Sequence, residues 1–272
     1  MYKKFYNLKE NPFNMTADPD FYFSSLHHKE AFSHLVYGIH QRKGILVVTG
    51  EIGTGKTTLC RTLLNQLGED TKTALILNPN FSEIQLLKLI VKDLGILGNL
   101  KNRLELIEAL NNFLLEETSR GNNVVLIIDE AQNLTIKQLE HVRLLSNIET
   151  EKEKLLQIIL VGQPELCDKL KLNELRQLNQ RVVVRYHILP LEHHELAAYI
   201  EHRLKIANAT RDSNHQLFFT DKAIDTIFKN SGGTPRMVNI LCDRALLAGY
   251  ILETNEIDEH IIHECVKEVV HQ

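Results

Sequence analysis

The sequence lacks the features of a membrane-spanning or exported chain. No apolar run approaches the roughly 18 residues that a membrane-spanning helix needs. Residues 1–6 lack the apolar core of a signal peptide. The cysteines form no C-x-x-C pair, which is typical of reduced thiols inside the cell; they are Cys60, Cys167, Cys242 and Cys265. We therefore expect a cytoplasmic protein, or the cytoplasmic part of an inner-membrane protein.

An excess of basic charge is also missing. The 272 residues hold 31 Lys and Arg against 35 Asp and Glu, a net charge of −4. This balance excludes a global positive field that would draw the chain to nucleic acid, while a local basic patch stays open. Internal repeats and low-complexity linkers are absent as well. The 43% hydrophobic content suffices for the core of one large domain, or of a medium domain and a small one.

The dominant motif is a glycine-rich loop of the pattern G-x-x-x-x-G-K-T. It follows an apolar run at residues 44–49 that predicts a short buried strand, and it precedes a predicted helix. Glycines let backbone N–H groups surround phosphate oxygens, and the helix N-terminus adds partial positive charge. The residues predicted to bind a nucleoside triphosphate are Gly50, Glu51, Ile52, Gly53, Thr54, Gly55, Lys56, Thr57 and Thr58. Lys56 would reach the outer phosphates, and the Thr57 hydroxyl would ligate Mg²⁺.

Two acidic residues follow another predicted strand. Residues 123–128 are an asparagine followed by five aliphatic residues, which indicates a central strand of a parallel sheet, and Asp129 and Glu130 follow directly. Ligands bind at the carboxyl edge of such sheets. We expect Asp129 to hold the Mg²⁺ shell and Glu130 to polarise the attacking water.

Gln163 follows another buried strand, predicted over residues 156–161. Two interpretations stay open: a contact to the γ-phosphate or the water, or a turn residue before a helix that starts at Pro164. Residues 132–149 are predicted to be one helix.

Strands and helices alternate as far as residue 191, which predicts a parallel, doubly wound α/β sheet. Beyond it no strand-like run follows, and helical patterns alone remain. We therefore predict two domains: residues 1–191, a nucleotide-binding domain with an aromatic N-terminal arm, and residues 192–272, a small all-α lid. The arm either packs on the domain surface or walls the adenine pocket.

Several segments resemble AAA+ ATPases of the ExeA/GspA family, the ATPase component associated with type II (general) secretion. They are residues 5–13 (FYNLKENPF), 126–134 (LIIDEAQNL), 161–166 (VGQPEL) and 231–236 (SGGTPR). Close relatives in this family serve pilus biogenesis and exopolysaccharide or exosortase loci. The resemblance covers the whole chain and implies a P-loop AAA+ fold with a helical lid, ATP and Mg²⁺ as ligands, and action on an envelope secretion complex.

The resemblance also implies roles for arginines. Arg236 matches the lid arginine that reaches the γ-phosphate of its own subunit's nucleotide. Arg181 matches the finger that completes a neighbouring subunit's site, although Arg176 and Arg185 lie close enough to compete for that assignment. A finger acting in trans implies an ATP-dependent homo-oligomer, as a ring or a partial ring.

Three questions stay open at this stage. Members of the family usually continue into a transmembrane segment and a periplasmic domain, whereas this sequence stops at Gln272, so it is either a shortened member or a stand-alone relative. More remote relatives regulate transposition, which makes ATP-dependent DNA binding the alternative function. Its best basic candidates are Lys169, Lys171, Arg176, Arg181 and Arg185. No motif reads the base, so GTP stays open beside ATP.

Overall fold

The computed structural model describes residues 1–151, 153–208 and 217–270, Val270 by its backbone alone. The α-helices are α1 Tyr2–Phe5, α2 Leu26–His40, α3 Lys56–Gln66, α4 Glu83–Asp93, α5 Arg103–Ser119, α6 Ile136–Leu145, α7 Glu165–Leu170, α8 Arg176–Arg181, α9 His193–Ala207, α10 Asp221–Ser231, α11 Pro235–Ile251 and α12 Glu259–Val270. The strands are β1 Ile45–Gly50, β2 Thr71–Ile76, β3 Asn123–Ile128, β4 Gln157–Gly162, β5 Val182–Ile188, β6 Phe218–Phe219 and β7 Glu256–Ile257. Short 3-10 turns occupy Pro19–Phe21, Ala131–Asn133 and Asn173–Leu175.

The chain forms two compact units. The sheet unit comprises Lys29–Glu51 and Leu59–Ile188, and the helical unit comprises Met1–His28, Ile52–Thr58 and the chain from Leu189 onward. Each unit has its own cluster of buried apolar side chains.

The sheet unit is built on five parallel strands in the order β2-β3-β4-β1-β5. Every residue of β1 and β4 is buried, as are five of the six in β3. A strand with both faces covered is continuously apolar, which explains the aliphatic runs in the sequence. The predicted α/β class with a parallel sheet is confirmed.

Side-chain caps begin the main helices of the sheet unit. Ser82 and Gln85 form a capping box at α4, and the Asn102 side chain accepts from the Glu105 N–H at α5. The prediction of one helix over residues 132–149 is wrong. A 3-10 turn comes first, and α6 begins only after Thr135, whose extended backbone and capping box with Gln138 start a new helix.

The N-terminal arm packs with the C-terminal part of the chain. Tyr6 and Phe13 are buried in the apolar cluster of the helical unit, and the Phe13 ring meets Phe219 edge-on at 6.2 Å. The Arg203 Nε donates to the Pro12 carbonyl at 2.5 Å. The arm is grouped with the C-terminal part of the chain in one compact unit, and its aromatics find their apolar partners there.

Local start signals begin two helices of the helical unit. The Thr220 side chain caps α10, and Pro235 occupies the first position of α11. Beside its helices the unit has one pair of short strands: β6 and β7 pair in parallel, two residues each. The pair is too short for a strand pattern to appear in the sequence.

Candidate active site

The carboxyl ends of three parallel strands meet at one edge of the sheet. β1 ends at Gly50, β3 at Ile128 and β4 at Gly162. These ends deliver, in turn, the start of the phosphate loop, the Asp129-Glu130 pair and Gln163. In an open α/β sheet this edge is where ligands bind.

Glu130 is held in an unusual conformation at this edge. Its backbone is left-handed, with φ 54°, and its N–H donates to the Asp129 carboxylate at 2.8 Å. A non-glycine residue in this region costs energy, and such residues concentrate at functional sites. Asp129 is buried, and its N–H donates to the Ile76 carbonyl at the end of β2.

The Glu130 carboxylate accepts two amide hydrogen bonds on one oxygen. The Gln132 Nε2 donates to Oε2 at 2.5 Å, and the Gln163 Nε2 donates to the same atom at 3.4 Å. The side-chain oxygen Oε1 of Gln132 in turn accepts from the Gln163 backbone N–H at 3.1 Å. Glu130 and Gln163, which the sequence named separately, therefore lie together, and Gln163 also precedes Pro164 and helix α7 as the turn interpretation required.

Gln132 is a residue that the sequence analysis missed. Its side chain joins Glu130 to Gln163, and its backbone carbonyl accepts from the Lys169 ammonium at 2.5 Å. A Cβ added to Gly162 would lie 2.7 Å from the Gln132 Oε1, so this glycine leaves the space that the amide occupies. No local sequence signal marks Gln132, because its role depends on how β3 and β4 adjoin.

The phosphate loop belongs to the helical unit from Ile52 to Thr58. Gly53 and Gly55 have positive φ, +83° and +92°, a conformation that glycine adopts without steric cost. Lys56, Thr57 and Thr58 are the first three residues of α3, and Lys56 is buried. The loop therefore has the strand, glycine turn and helix start that the motif predicted.

Two residues outside the loop donate to its carbonyls. The Arg236 N–H donates to the Gly53 oxygen at 3.2 Å, and the His28 Nε2 lies 2.8 Å from the Thr54 oxygen. The Arg236 side chain is exposed at the start of α11. His28 is 4% exposed, and burial lowers the pKa of its imidazole. The sequence favours a surface or nucleotide-adjacent position over metal binding for the pair His27-His28, and His28 is buried beside the phosphate loop.

The three finger candidates differ in their surroundings. Arg181 is the half-buried last residue of α8, and Arg176 is its exposed first residue. The Arg185 Nη2 donates to the Asn179 carbonyl oxygen at 3.0 Å and to its side-chain oxygen at 2.5 Å. Arg185 is thus bound back to its own subunit.

Comparison with known proteins agrees with this geometry. The AAA domain family matches residues 39–170, which include the phosphate loop, Glu130 and Gln163. General secretion pathway protein A of Aeromonas hydrophila is 42% identical over 258 residues, 94% of this chain and 46% of that protein. The chain therefore spans about half the length of this relative.

Solved structures with the same fold come from other machines. The Aeropyrum pernix ORC2 protein in its ADP form superposes with a TM-score of 0.71 at 17% identity, over 96% of this chain and 73% of that one. Drosophila ORC bound to DNA gives 0.67 at 17% identity, over 99% and 65%. The Thermotoga maritima RuvB Holliday junction branch migration motor gives 0.57 at 17%, over 91% and 72%. At these identities the likeness shows the fold alone.

The parallel sheet, the phosphate loop and the AAA match define a P-loop protein of the AAA+ class. Within that class the chain is a relative of general secretion pathway protein A over nearly its whole length, which confirms the resemblance identified in the sequence. None of the described helices combines the length and the apolar composition needed to cross a bilayer.

Proposed function

We propose that this chain is an Mg²⁺-dependent ATPase that acts in the cytoplasm and drives assembly or positioning of an envelope secretion complex. The observation that carries the hydrolytic part is the Glu130 carboxylate, which follows β3 at the ligand-binding edge and is fixed by two amides. A carboxylate in that place would polarise a water for attack on the γ-phosphate.

The donor atoms fit magnesium. Thr57 offers a hydroxyl and Asp129 a carboxylate, and Mg²⁺ prefers a few such hard oxygens together with substrate phosphates. When bound, the ion would neutralise phosphate charge. Lys56 and Arg236 would bind the outer phosphates, Arg236 through a planar guanidinium suited to two phosphate oxygens. Gln163 would orient the water beside Glu130.

The partners are proposed from the relative's name and from the finger arginine. The name of the Aeromonas relative, general secretion pathway protein A, refers to a secretion pathway, and the 42% identity supports a shared role for this chain. Arg181 would complete a neighbouring copy's site, so we propose an ATP-dependent homo-oligomer. The four cysteines are free thiols, as a reducing compartment favours.

DNA binding stays the second candidate. Lys169 donates to the backbone carbonyls of Gln132 and Leu134, and Lys171 pairs with Asp168 at 2.8 Å. Together with the Asn179-bound Arg185, three of the five basic candidates already make contacts within the chain. A shift of duplex DNA that persists near physiological salt and weakens as salt rises would reverse this order.

Phosphate release tests the proposal directly. Wild type, Lys56→Ala and Glu130→Gln would be assayed with ATP or GTP, with and without Mg²⁺, and sized by light scattering. We expect ATP turnover by the wild type alone, and a larger ATP-bound assembly of Glu130→Gln. Turnover that does not change when Glu130 is replaced, with a monomer in every condition, would contradict both the mechanism and the oligomer.

A complementation experiment tests the secretion role. A strain lacking the chain would be complemented with wild type or Glu130→Gln, and only wild type should restore assembly of the envelope complex.

A further inference from the structure

The Thr54 carbonyl of the phosphate loop is tied from outside the loop. The His28 Nε2 lies 2.8 Å from this oxygen. In a trans peptide the C=O and the following N–H point in opposite directions. Fixing the Thr54 carbonyl therefore fixes the direction of the Gly55 N–H on the other side of the peptide plane.

The contacts of His28 define one tautomer. A carbonyl oxygen only accepts, so Nε2 carries a proton. The Nδ1 atom lies 2.7 Å from the Ser25 Oγ, and that oxygen also lies 3.4 Å from the His28 backbone N–H. In the neutral imidazole the Ser25 hydroxyl donates to Nδ1 and accepts from the backbone N–H. Burial, which lowers the pKa of His28, favours this neutral form.

The segment that carries His28 is anchored independently of the loop. The Leu26 N–H donates to the Glu195 Oε1 at 2.8 Å, and the second Glu195 oxygen accepts from the Glu192 N–H at 3.0 Å. Glu195 is itself buried on α9. The first turn of α2 is thereby held to α9, and the backbone that carries the imidazole is fixed in place.

The loop leaves room for the imidazole at one position. A Cβ added to Gly55 would lie 3.0 Å from the His28 Nε2, and the Gly55 φ of +92° disfavours any side chain there. Glycine at 55 thus leaves room for the imidazole ring on this side of the loop.

We propose that His28 is a positioning residue of the phosphate loop, whose Nε2–H holds the Thr54 carbonyl so that the Gly55 N–H faces the phosphates of a nucleoside di- or triphosphate. A carbonyl turned toward a phosphate would repel it, whereas converging N–H groups form an anion-binding concavity. This inference rests on the nucleotide binding proposed above.

Replacing His28 by Gln or by Asn distinguishes donation of a hydrogen bond from simple filling of the space, because both side chains are neutral amides. The side-chain nitrogen of Gln reaches about as far as Nε2 of His, whereas that of Asn reaches only as far as Nδ1. His28→Gln should therefore still donate to the Thr54 carbonyl, and His28→Asn should not. The readout is the affinity for a fluorescent ATP analogue and its ADP counterpart. We expect His28→Asn to bind both about tenfold more weakly, and His28→Gln to stay within about twofold of wild type.

Controls guard against loss of fold. Melting temperatures are measured for both variants, and His34→Asn makes the same change at an exposed position further along α2. Equal binding by His28→Gln and His28→Asn, whether normal or weakened, would overturn the inference. If the wild type binds neither nucleotide, the proposed function fails and the inference fails with it. If the wild type binds without turnover, only hydrolysis is refuted, and the comparison of Gln with Asn still decides the role of His28.

Discussion

The Nε2 of the Gln132 side chain donates to the Glu130 carboxylate at 2.5 Å, while the Oε1 of the same side chain accepts from the Gln163 backbone N–H at 3.1 Å. One amide thus uses both its donor and its acceptor to fix two residues that follow neighbouring strands. The contact restricts the carboxylate to one orientation, within a backbone that is already left-handed at Glu130.

The first prediction concerns this amide. Gln132→Ala should lower kcat at least about tenfold and leave the dissociation constant for ATP unchanged, because it releases the general base without touching the phosphate loop. Steady-state phosphate release and nucleotide titration measure the two quantities. Asn133→Ala, an exposed neighbour in the same 3-10 turn, is the matched control and should turn over normally. Equal loss in both variants would mean that the turn, and not the amide, matters.

Much of this site was predictable from the sequence because its signals are local. The phosphate loop and the Asp129-Glu130 pair after a buried strand each depend on residues within one turn or strand end. Such patterns carry their structural context with them.

The contacts that the sequence did not predict join distant segments. The position of the Gln132 side chain depends on the space beside Gly162, and the contact of His28 depends on the Thr54 carbonyl. The arm aromatics show the same limit: their pattern indicates burial, but nothing in it says that Phe13 meets Phe219. Periodicity predicts that a side chain is covered and not which segment covers it.

The second prediction tests the finger in trans. Arg181→Ala should lower turnover at least about a hundredfold, because a finger arginine stabilises charge that develops on the transferred phosphoryl group. Glu130→Gln should be equally inactive. Mixed subunits should recover activity, since the Glu130→Gln copy supplies Arg181 to an intact neighbouring site.

Matched arginine variants assign the finger. Arg185→Ala, whose guanidinium is bound to Asn179, should keep most of its activity, and Arg176→Ala shows whether the first residue of α8 contributes. Failure of every mixture to exceed the sum of its separate components would argue against a shared site.

The third prediction is a pH dependence of stability. Burial lowers the pKa of His28 in the folded chain; the hydrogen bond to the Thr54 carbonyl and the charge of Glu195 oppose this shift, and His27 reinforces it. Below about pH 6.5 the unfolded chain binds a proton at His28 that the folded chain does not, so the free energy of unfolding falls as pH drops through this range. Urea unfolding of wild type and His28→Gln at pH 7.5 and 5.5 measures the effect. The wild type should lose more stability than the variant, which cannot titrate there.

This comparison needs the variant because burial also lowers the pKa of His141 and His202. Those two groups titrate in both proteins and cancel in the difference. Parallel losses in the two proteins would show that His28 contributes nothing to the acid sensitivity.

The last prediction concerns two adjacent glycines before α11. Both have positive φ, +57° at Gly232 and +73° at Gly233, but their surroundings differ. An added Cβ at 233 would lie 2.0 Å from the Leu191 carbonyl oxygen, whereas in the described part of the chain nothing lies within 4 Å of one at 232. Gly232→Ala should therefore cost about 1 kcal/mol of unfolding free energy, for the left-handed backbone alone. Gly233→Ala should cost about 3 kcal/mol or more, because Leu191 and Gly233 must also separate and lose the hydrogen bond between the Leu191 N–H and the Gly233 carbonyl. Urea unfolding of the two variants side by side measures both costs, and equal costs would mean that the backbone at Leu191 yields without penalty.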